Sequence, residues 1–292
     1  MSRPQDLRTK ITLDSGDPEE TKEAISLLGF LDGQTTNPTL VSRNPRAEER
    51  LERDEKFTPE ELTDFYRQIV RKISALIPGD GHLSIEVYAD HSTTAEEMLR
   101  EGREKSSWNP NAHIKYPTTR EGLRAAQMSI KEGMRANLTI CFTQEQAAAV
   151  YAATRGAGKG QVLVSPYVGR RDDHGENGMD LIKNIIAMYK KGDGHVGVLT
   201  ASVRSVDQVL YSIALGADVV TAHLRTLRKW REKGMPVPDN NYSYDPKGLK
   251  AIPYKEIDLT KDWQEYNIAH ELTEAGVRRF SEDWNKLIKQ TP

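Results

Sequence analysis

Along the chain, aliphatic and polar positions fall into one repeated unit. A short aliphatic run is followed by a polar residue, then by Asp, Ser or Thr with Glu or Gln three positions on, the signature of a helix start. Lys10-Ile11-Thr12-Leu13-Asp14 precedes Asp17-Pro18-Glu19-Glu20, and Leu83 to Val87 precedes Thr93-Thr94-Ala95-Glu96. Ala112 to Pro117 runs into Thr118-Thr119-Arg120-Glu121, Ala136 to Ile140 into Thr143-Gln144-Glu145-Gln146, and Val196 to Ala201 into Ser205-Val206-Asp207-Gln208. Three further candidates, Gly29 to Gly33, Gln161 to Tyr167 and Ala217 to Thr221, bring the strands to about eight, the number a closed parallel barrel requires. The expected fold class is α/β, a (β/α)8 barrel with additional outer helices and a C-terminal helix. An open doubly wound sheet ranks second, because no Gly-rich phosphate fingerprint follows the first strand.

Two stretches depart from the repeat inside what is expected to be one domain over residues 1–292. Residues 44–63, rich in Arg and Glu, are expected to be a solvated insertion, with Thr58-Pro59-Glu60-Glu61 capping the next helix. Residues 228–262 mix Pro, Asn, Asp and Tyr and are expected to cross the outside of the barrel before a helix from about Trp263 to Leu287. The basic run Arg225 to Arg231 admits RNA contact, but a charged outer helix face explains it more simply.

The phase of each strand separates a helix-facing side from an interior side. Ile11 and Leu13 oppose Thr12 and Asp14, Ile85 and Val87 oppose Ser84 and Glu86, Ile114 and Tyr116 oppose His113 and Lys115, and Leu138 and Ile140 oppose Asn137 and Thr139. In a barrel the second set fills the interior, so Asp14, Glu86, Lys115, Asn137 and Thr139 converge near the C-terminal mouth. A lone lysine at a strand end usually snorkels to solvent. Gathered with two carboxylates and a hydroxyl, it becomes a candidate nucleophile for carbonyl carbons. Glu86, beside Ile85 and Val87, is the candidate for a raised pKa, and a neutral amine requires burial to prevail or a carboxylic acid to hold its proton.

Composition narrows the picture further. A net charge of −2 over 292 residues gives no general attraction for nucleic acid or an anionic membrane. The single cysteine, Cys141, rules out an internal disulfide, and neither a membrane-length apolar run nor a signal-peptide core is present, so a cytoplasmic location is expected. Ser165 to Arg170 ends one candidate strand and Ala201 to Arg204 the next, so Arg170, Ser202 and Arg204 are placed to hold one phosphate, helped by backbone donors near Ser205. Arg171 is either an extra ligand or a surface charge.

These residues carry a resemblance. Gly33-Gln34-Thr35-Thr36-Asn37-Pro38-Thr39-Leu40 resembles the Thr-Thr-Asn-Pro signature of the transaldolase family, and Ile114 to Pro117 with Glu121-Gly122 resembles its Schiff-base lysine signature. It continues in family order through Asn137-Leu138-Thr139, Ser165 to Arg170 and Ala201 to Arg204, and reaches the tail at Leu272 to Leu287. The resemblance implies a class I aldolase barrel of carbohydrate metabolism, the pentose phosphate pathway, using no metal and no cofactor, with sugar phosphates as its partners and a homo-oligomeric assembly. It implies that Lys115 forms an imine with a ketose phosphate, that Asp14 takes the proton of the C4 hydroxyl, and that Glu86 and Thr139 hold the proton-shuttling water. Asn37, Thr36, Asn137 and Ser165 then bind the retained three-carbon fragment, Tyr167 lies beside it, and Arg170, Ser202 and Arg204 hold the phosphate.

Three positions depart from that pattern. Transaldolases usually carry Phe where Tyr167 stands, and the related fructose-6-phosphate aldolases carry Tyr there but Gln in place of Glu86. Tyr116 replaces an aliphatic residue, and Gln34 is expected only to line the mouth. The activity expected is therefore transaldolase, with fructose-6-phosphate aldolase as the alternative and a non-catalytic phosphosugar-binding barrel as a reading of another class.

Overall fold

The computed structural model describes residues 2–77, 79 and 81–289. Its strands pair in sequence order into a closed, all-parallel barrel, β1 to β8, with β8 returning to β1. In chain order the elements are β1 (Lys10–Asp14), α1 (Pro18–Leu28), β2 (Gly33–Thr35), α2 (Pro38–Ser42), α3 (Pro45–Glu52) and α4 (Pro59–Leu76). Then come β3 (His82–Glu86), α5 (Ala95–Ser106), β4 (Ala112–Pro117), α6 (Arg120–Lys131), β5 (Arg135–Cys141) and α7 (Gln144–Ala153). After them come β6 (Val162–Pro166), α8 (Val168–Asp173), α9 (Gly178–Tyr189), β7 (Val196–Val203), α10 (Val206–Leu215), β8 (Val219–Ala222), α11 (Leu224–Glu232) and α12 (Glu271–Asn285). No helix among the described residues is long and apolar enough to cross a membrane.

The aliphatic phase packs outward as expected: Ile11, Leu13, Ile85, Ile114 and Leu138 are buried with the helices in the main core. Tyr116 points the same way, fully buried, its hydroxyl 2.8 Å from Ser129 Oγ. Space for that hydroxyl exists because residue 102 is glycine; a Cβ there would overlap it.

Local chemistry explains where the structure departs from expectation. Gly29 does not open a strand; at φ 80° it closes α1, its N–H donating to Ile25 O, and β2 begins only at Gly33. Residues 45–52 are helix rather than loop, since Asn44 caps, Pro45 fills the first turn, and Arg and Glu are good helix formers. The cap before α5 is Thr94 with Glu97, one residue later than the pattern indicated, because Thr93 is engaged by Asp90. Before α6 the cap is Thr119; Thr118 donates to Thr139 O, and Glu121 accepts from Ala95 N–H. The tail helix starts at Glu271, not Trp263, which belongs to a short 3-10 turn ended by extended Tyr266. The basic run lies on α11, which buries Leu224, Leu227 and Trp230 and leaves its charged side outward.

Both register irregularities fall beside the barrel mouth, one on β5 between Leu138 and Cys141, the other on β7 between Thr200 and Val203. Each contains a non-glycine residue in the left-handed region, Ile140 at φ 51° and Ser202 at φ 59°. A β-branched residue there is strained, and bulges of this kind re-aim side chains next to sites. Gly169 is needed for the second: a Cβ would collide with Ser202 O and Arg204.

Candidate active site

At the C-terminal mouth lies a cavity of about 330 Å³, lined by Asp14, Asn37, Lys115, Thr139, Ser165, Tyr167, Arg170, Ser202 and Arg204 among others. Nine of the twelve expected site residues thus reach it. Lys115 is 3% exposed, its Nζ 2.8 Å from Glu86 Oε2 and donating to Thr36 O at 2.9 Å. Pairing of β3 with β4 sets Glu86 directly opposite Lys115 on the same interior face.

The three remaining residues stand just behind the wall. Thr36 does not offer its hydroxyl to the cavity; that group bonds Tyr66 and Ser84 O, and the residue contributes its carbonyl to Lys115. Glu86 lines a small neighbouring crevice with Pro117 and Ile140. Asn137, fully buried, anchors a chain of hydrogen bonds running down the barrel axis. Ser165 Oγ donates to Asn137 Oδ1 (2.6 Å), Asn137 Nδ2 to Ser84 Oγ (2.9 Å), and His82 Nε2 lies 2.8 Å from Ser84 Oγ. His82 Nδ1 is 3.1 Å from His113 Nδ1, and His113 Nε2 is 3.0 Å from Gly160 O.

A carbonyl only accepts, so His113 carries its proton on Nε2 and accepts at Nδ1, which forces His82 Nδ1 to donate and Ser84 Oγ to donate to His82 Nε2. Burial agrees, pushing His82 well down and His113 to about 4, so both rings are neutral. Ser165 therefore has its proton committed and presents lone pairs to the cavity, a fixed acceptor for a ligand hydroxyl. The phase of β4 placed His113 inside; His82 was missed because β3 starts one residue earlier than its aliphatic run.

Electrostatics separate the two reactive groups. Burial pushes the Glu86 carboxyl up despite the pull of Lys115, the direction expected. For Lys115, burial favours the free amine, but Glu86, then Tyr167 and Asp14, outweigh it and hold the ammonium above the ordinary lysine range. Burial alone does not win. Lys115 is thus held as the ammonium, with the Glu86 carboxyl 2.8 Å away and within reach of its proton.

Asp14 Oδ1 accepts from Thr35 Oγ1 at 2.7 Å, and Thr35 is 2.6 Å from Thr221 Oγ1. Thr139 Oγ1 donates to Tyr167 Oη at 3.0 Å, and burial pushes that phenol up to about 12, so it keeps its proton at neutral pH. Asn37 caps α2 through Oδ1, leaving its amide nitrogen for the cavity.

At the far lip, Arg204 Nη2 and Arg170 Nη1 lie 3.0 and 3.6 Å from the same Asp173 Oδ2, so two guanidiniums converge on one anionic oxygen. Arg171 is not part of this fork; it pairs with Glu176 at 2.6 Å and His270 at 2.9 Å. Just before α10, Gln208 Oε1 takes the N–H groups of Arg204 and Ser205, and Ser205 Oγ takes that of Gln208. Gln34 also leaves the mouth: fully buried, it bonds Thr21 and Ser15 O. Sequence reasoning missed Arg43, His223, Leu272, Arg279 and Phe280, which complete the cavity wall from loops and from α12, where no strand phase marks them. Among the described residues no cluster of His, Cys, Asp and Glu is placed to hold a metal ion.

Comparison with known proteins matches residues 11–291 to the family described as Transaldolase/Fructose-6-phosphate aldolase. A "Probable transaldolase" of Dehalococcoides mccartyi is 32% identical over 280 residues, covering 96% of this chain and 100% of that protein. Namesakes from Thermoanaerobacter sp. (33%, 95% of this chain and 97% of theirs) and Anaeromyxobacter sp. strain Fw109-5 (35%, 95% and 98%) are similar to it as well. With the fold, the buried lysine and nearly full-length similarity in hand, the chain belongs to the transaldolase/fructose-6-phosphate aldolase family.

Proposed function

We propose that the protein is a transaldolase that moves a dihydroxyacetone unit from a ketose phosphate, fructose 6-phosphate or sedoheptulose 7-phosphate, to an aldose phosphate through an imine on Lys115. The observation that carries this reading is the nearly inaccessible Lys115 Nζ, 2.8 Å from Glu86, inside a cavity shared with Asp14, Thr139 and Ser165.

Glu86 takes the ammonium proton, the amine adds to the C2 carbonyl, and the carbinolamine loses water with Glu86 returning a proton to the departing hydroxyl. Asp14 then removes the C4 hydroxyl proton, the C3–C4 bond breaks, and its electron pair moves into the iminium to leave an enamine on Lys115. The aldose phosphate departs. A second aldehyde enters, the enamine carbon attacks it, its oxygen recovers the proton from Asp14, and water releases the new ketose. Asn37 and Ser165 hold the retained fragment, Asn137 orients Ser165, and Arg170, Ser202 and Arg204 hold the phosphate.

One observation favours a second reading. The neutral Tyr167 phenol, bonded to Thr139 and lining the same cavity as the lysine, would hold water against the enamine, and protonation of the enamine by that water would release dihydroxyacetone without an acceptor, as a fructose-6-phosphate aldolase does. Borohydride reduction with fructose 6-phosphate tests both against mere sugar-phosphate binding. A covalent three-carbon adduct on the Lys115 peptide supports catalysis; binding without adduct rejects it. Assays with and without erythrose 4-phosphate then separate transfer from aldol cleavage.

A further inference from the structure

A second buried lysine stands on the helix side of β3, behind Glu86. Lys105, on α5, is 2% exposed, although lysine is rarely buried so fully without a partner. Its Nζ donates to the main-chain carbonyl of Glu86 at 2.8 Å and lies 2.8 Å from Glu101 Oε1. Three aromatic rings enclose it, Tyr66 of α4 at 4.4 Å, Trp108 at 5.4 Å and Trp284 of α12 at 5.5 Å. Tyr66 Oη accepts the Glu86 N–H at 3.1 Å and shares a hydrogen bond with the hydroxyl of Thr36, whose carbonyl receives Lys115. Both main-chain polar groups of Glu86 are thus held by side chains, because β2 ends at Thr35 and leaves that flank of β3 without a ladder partner.

An apolar side chain would fill a pocket of three aromatics without the desolvation cost of an ammonium. A cation kept there, aimed inward, has an electrostatic effect on what it faces, and what it faces is Glu86. We propose that Lys105 is a positioning residue: it pins the Glu86 main chain from behind and supplies a second fixed positive charge that keeps the Glu86 carboxylate available to take the proton from Lys115. This rests on the role given to Glu86 above.

The charges around the pair are few. Glu86 faces Lys115 on β4, Asp14 on β1, Tyr66 on α4 and Lys105 on α5, and Lys105 is among the groups that pull its carboxyl down against burial. Around Lys105 stand Glu101 on its own helix, and Arg67 of α4, which lies over Trp108 and pairs with Asp64 and Glu104. Trp284 brings no charge from α12. Losing the Lys105 charge therefore raises the Glu86 pKa further, whereas neutralising Glu101 leaves Lys105 less compensated and lowers it.

The test measures the rate of borohydride trapping of dihydroxyacetone on Lys115 against pH, a substrate with no phosphate titrating in the range. Lys105→Met should move the acid limb up by about 0.5 to 1 pH unit, Lys105→Arg should restore it, and Glu101→Gln should move it down. A folded, trappable Lys105→Met with an unmoved limb overturns the proposal. Should Lys105→Met fail to fold, Glu101→Gln decides by the sign of its shift, and no downward shift overturns the proposal equally. Glu86→Gln runs alongside: if it changes the limb while the Lys105 and Glu101 variants do not, only the role of Lys105 falls. If Glu86→Gln leaves the limb unchanged, the base role of Glu86 falls and the proposal with it.

Discussion

Removing one oxygen, in Tyr167→Phe, distinguishes transfer from cleavage. The phenol accepts a 3.0 Å hydrogen bond from Thr139 and sits in the cavity with Lys115. Both partners are neutral at pH 7, so the bond is worth about 1 kcal/mol net, a fall of about 1–2 °C in Tm for a chain of this size. Its kinetic effect is larger and selective. If the hydroxyl holds the water that protonates the enamine, acceptor-free release of dihydroxyacetone from fructose 6-phosphate falls about 10- to 100-fold, or about 1.4–2.8 kcal/mol of barrier. Transfer to erythrose 4-phosphate needs no such water and should change less than about threefold. The assay compares dihydroxyacetone release and sedoheptulose 7-phosphate formation on the same preparation. Equal losses in both reactions, or undiminished release, would refute the reasoning.

Lys115→Met should abolish borohydride trapping and leave Glu86 buried without its 2.8 Å partner, destabilising the fold by about 3 kcal/mol near pH 8. Because the folded pKa of Glu86 lies above its unfolded value, that loss grows as pH rises through the folded pKa and shrinks toward pH 4, so urea unfolding at pH 5 and 8 must show the smaller deficit at pH 5. Asp173→Asn removes the carboxylate lying between Arg170 and Arg204 and should tighten inhibition by inorganic phosphate several-fold; weaker inhibition would count against the phosphate assignment. In Gly122→Ala a new Cβ meets the Pro117 carbonyl at the end of the strand bearing Lys115. A loss of roughly 1–3 kcal/mol should appear in thermal melts, and an unchanged Tm would show that α6 yields freely.

The barrel and most of its inward-facing chemistry were legible because they rest on local rules. Aliphatic runs followed by caps mark βα units, and strand alternation alone assigns Asp14, Glu86, Lys115, Asn137 and Thr139 to the interior, since a side chain's face is fixed by its parity along the strand. Charge misled over residues 45–52, where solvated Arg and Glu belong to a helix.

What parity cannot express required the tertiary structure. Bulges at Ile140 and Ser202 break the alternation, and α12 brings Arg279 and Phe280 to the mouth from the far end of the chain. Alternation shows that Asn137 points inward, but not that its amide is committed to Ser84 and Ser165; the resemblance implies Thr36 at the site without revealing that its carbonyl, rather than its hydroxyl, meets Lys115. It also gives no hint that an exterior helix buries Lys105 against the main chain of Glu86. Such partners come from distant parts of the sequence, and only closure of the barrel, with the helices packed around it, sets the distances that decide which polar group meets which.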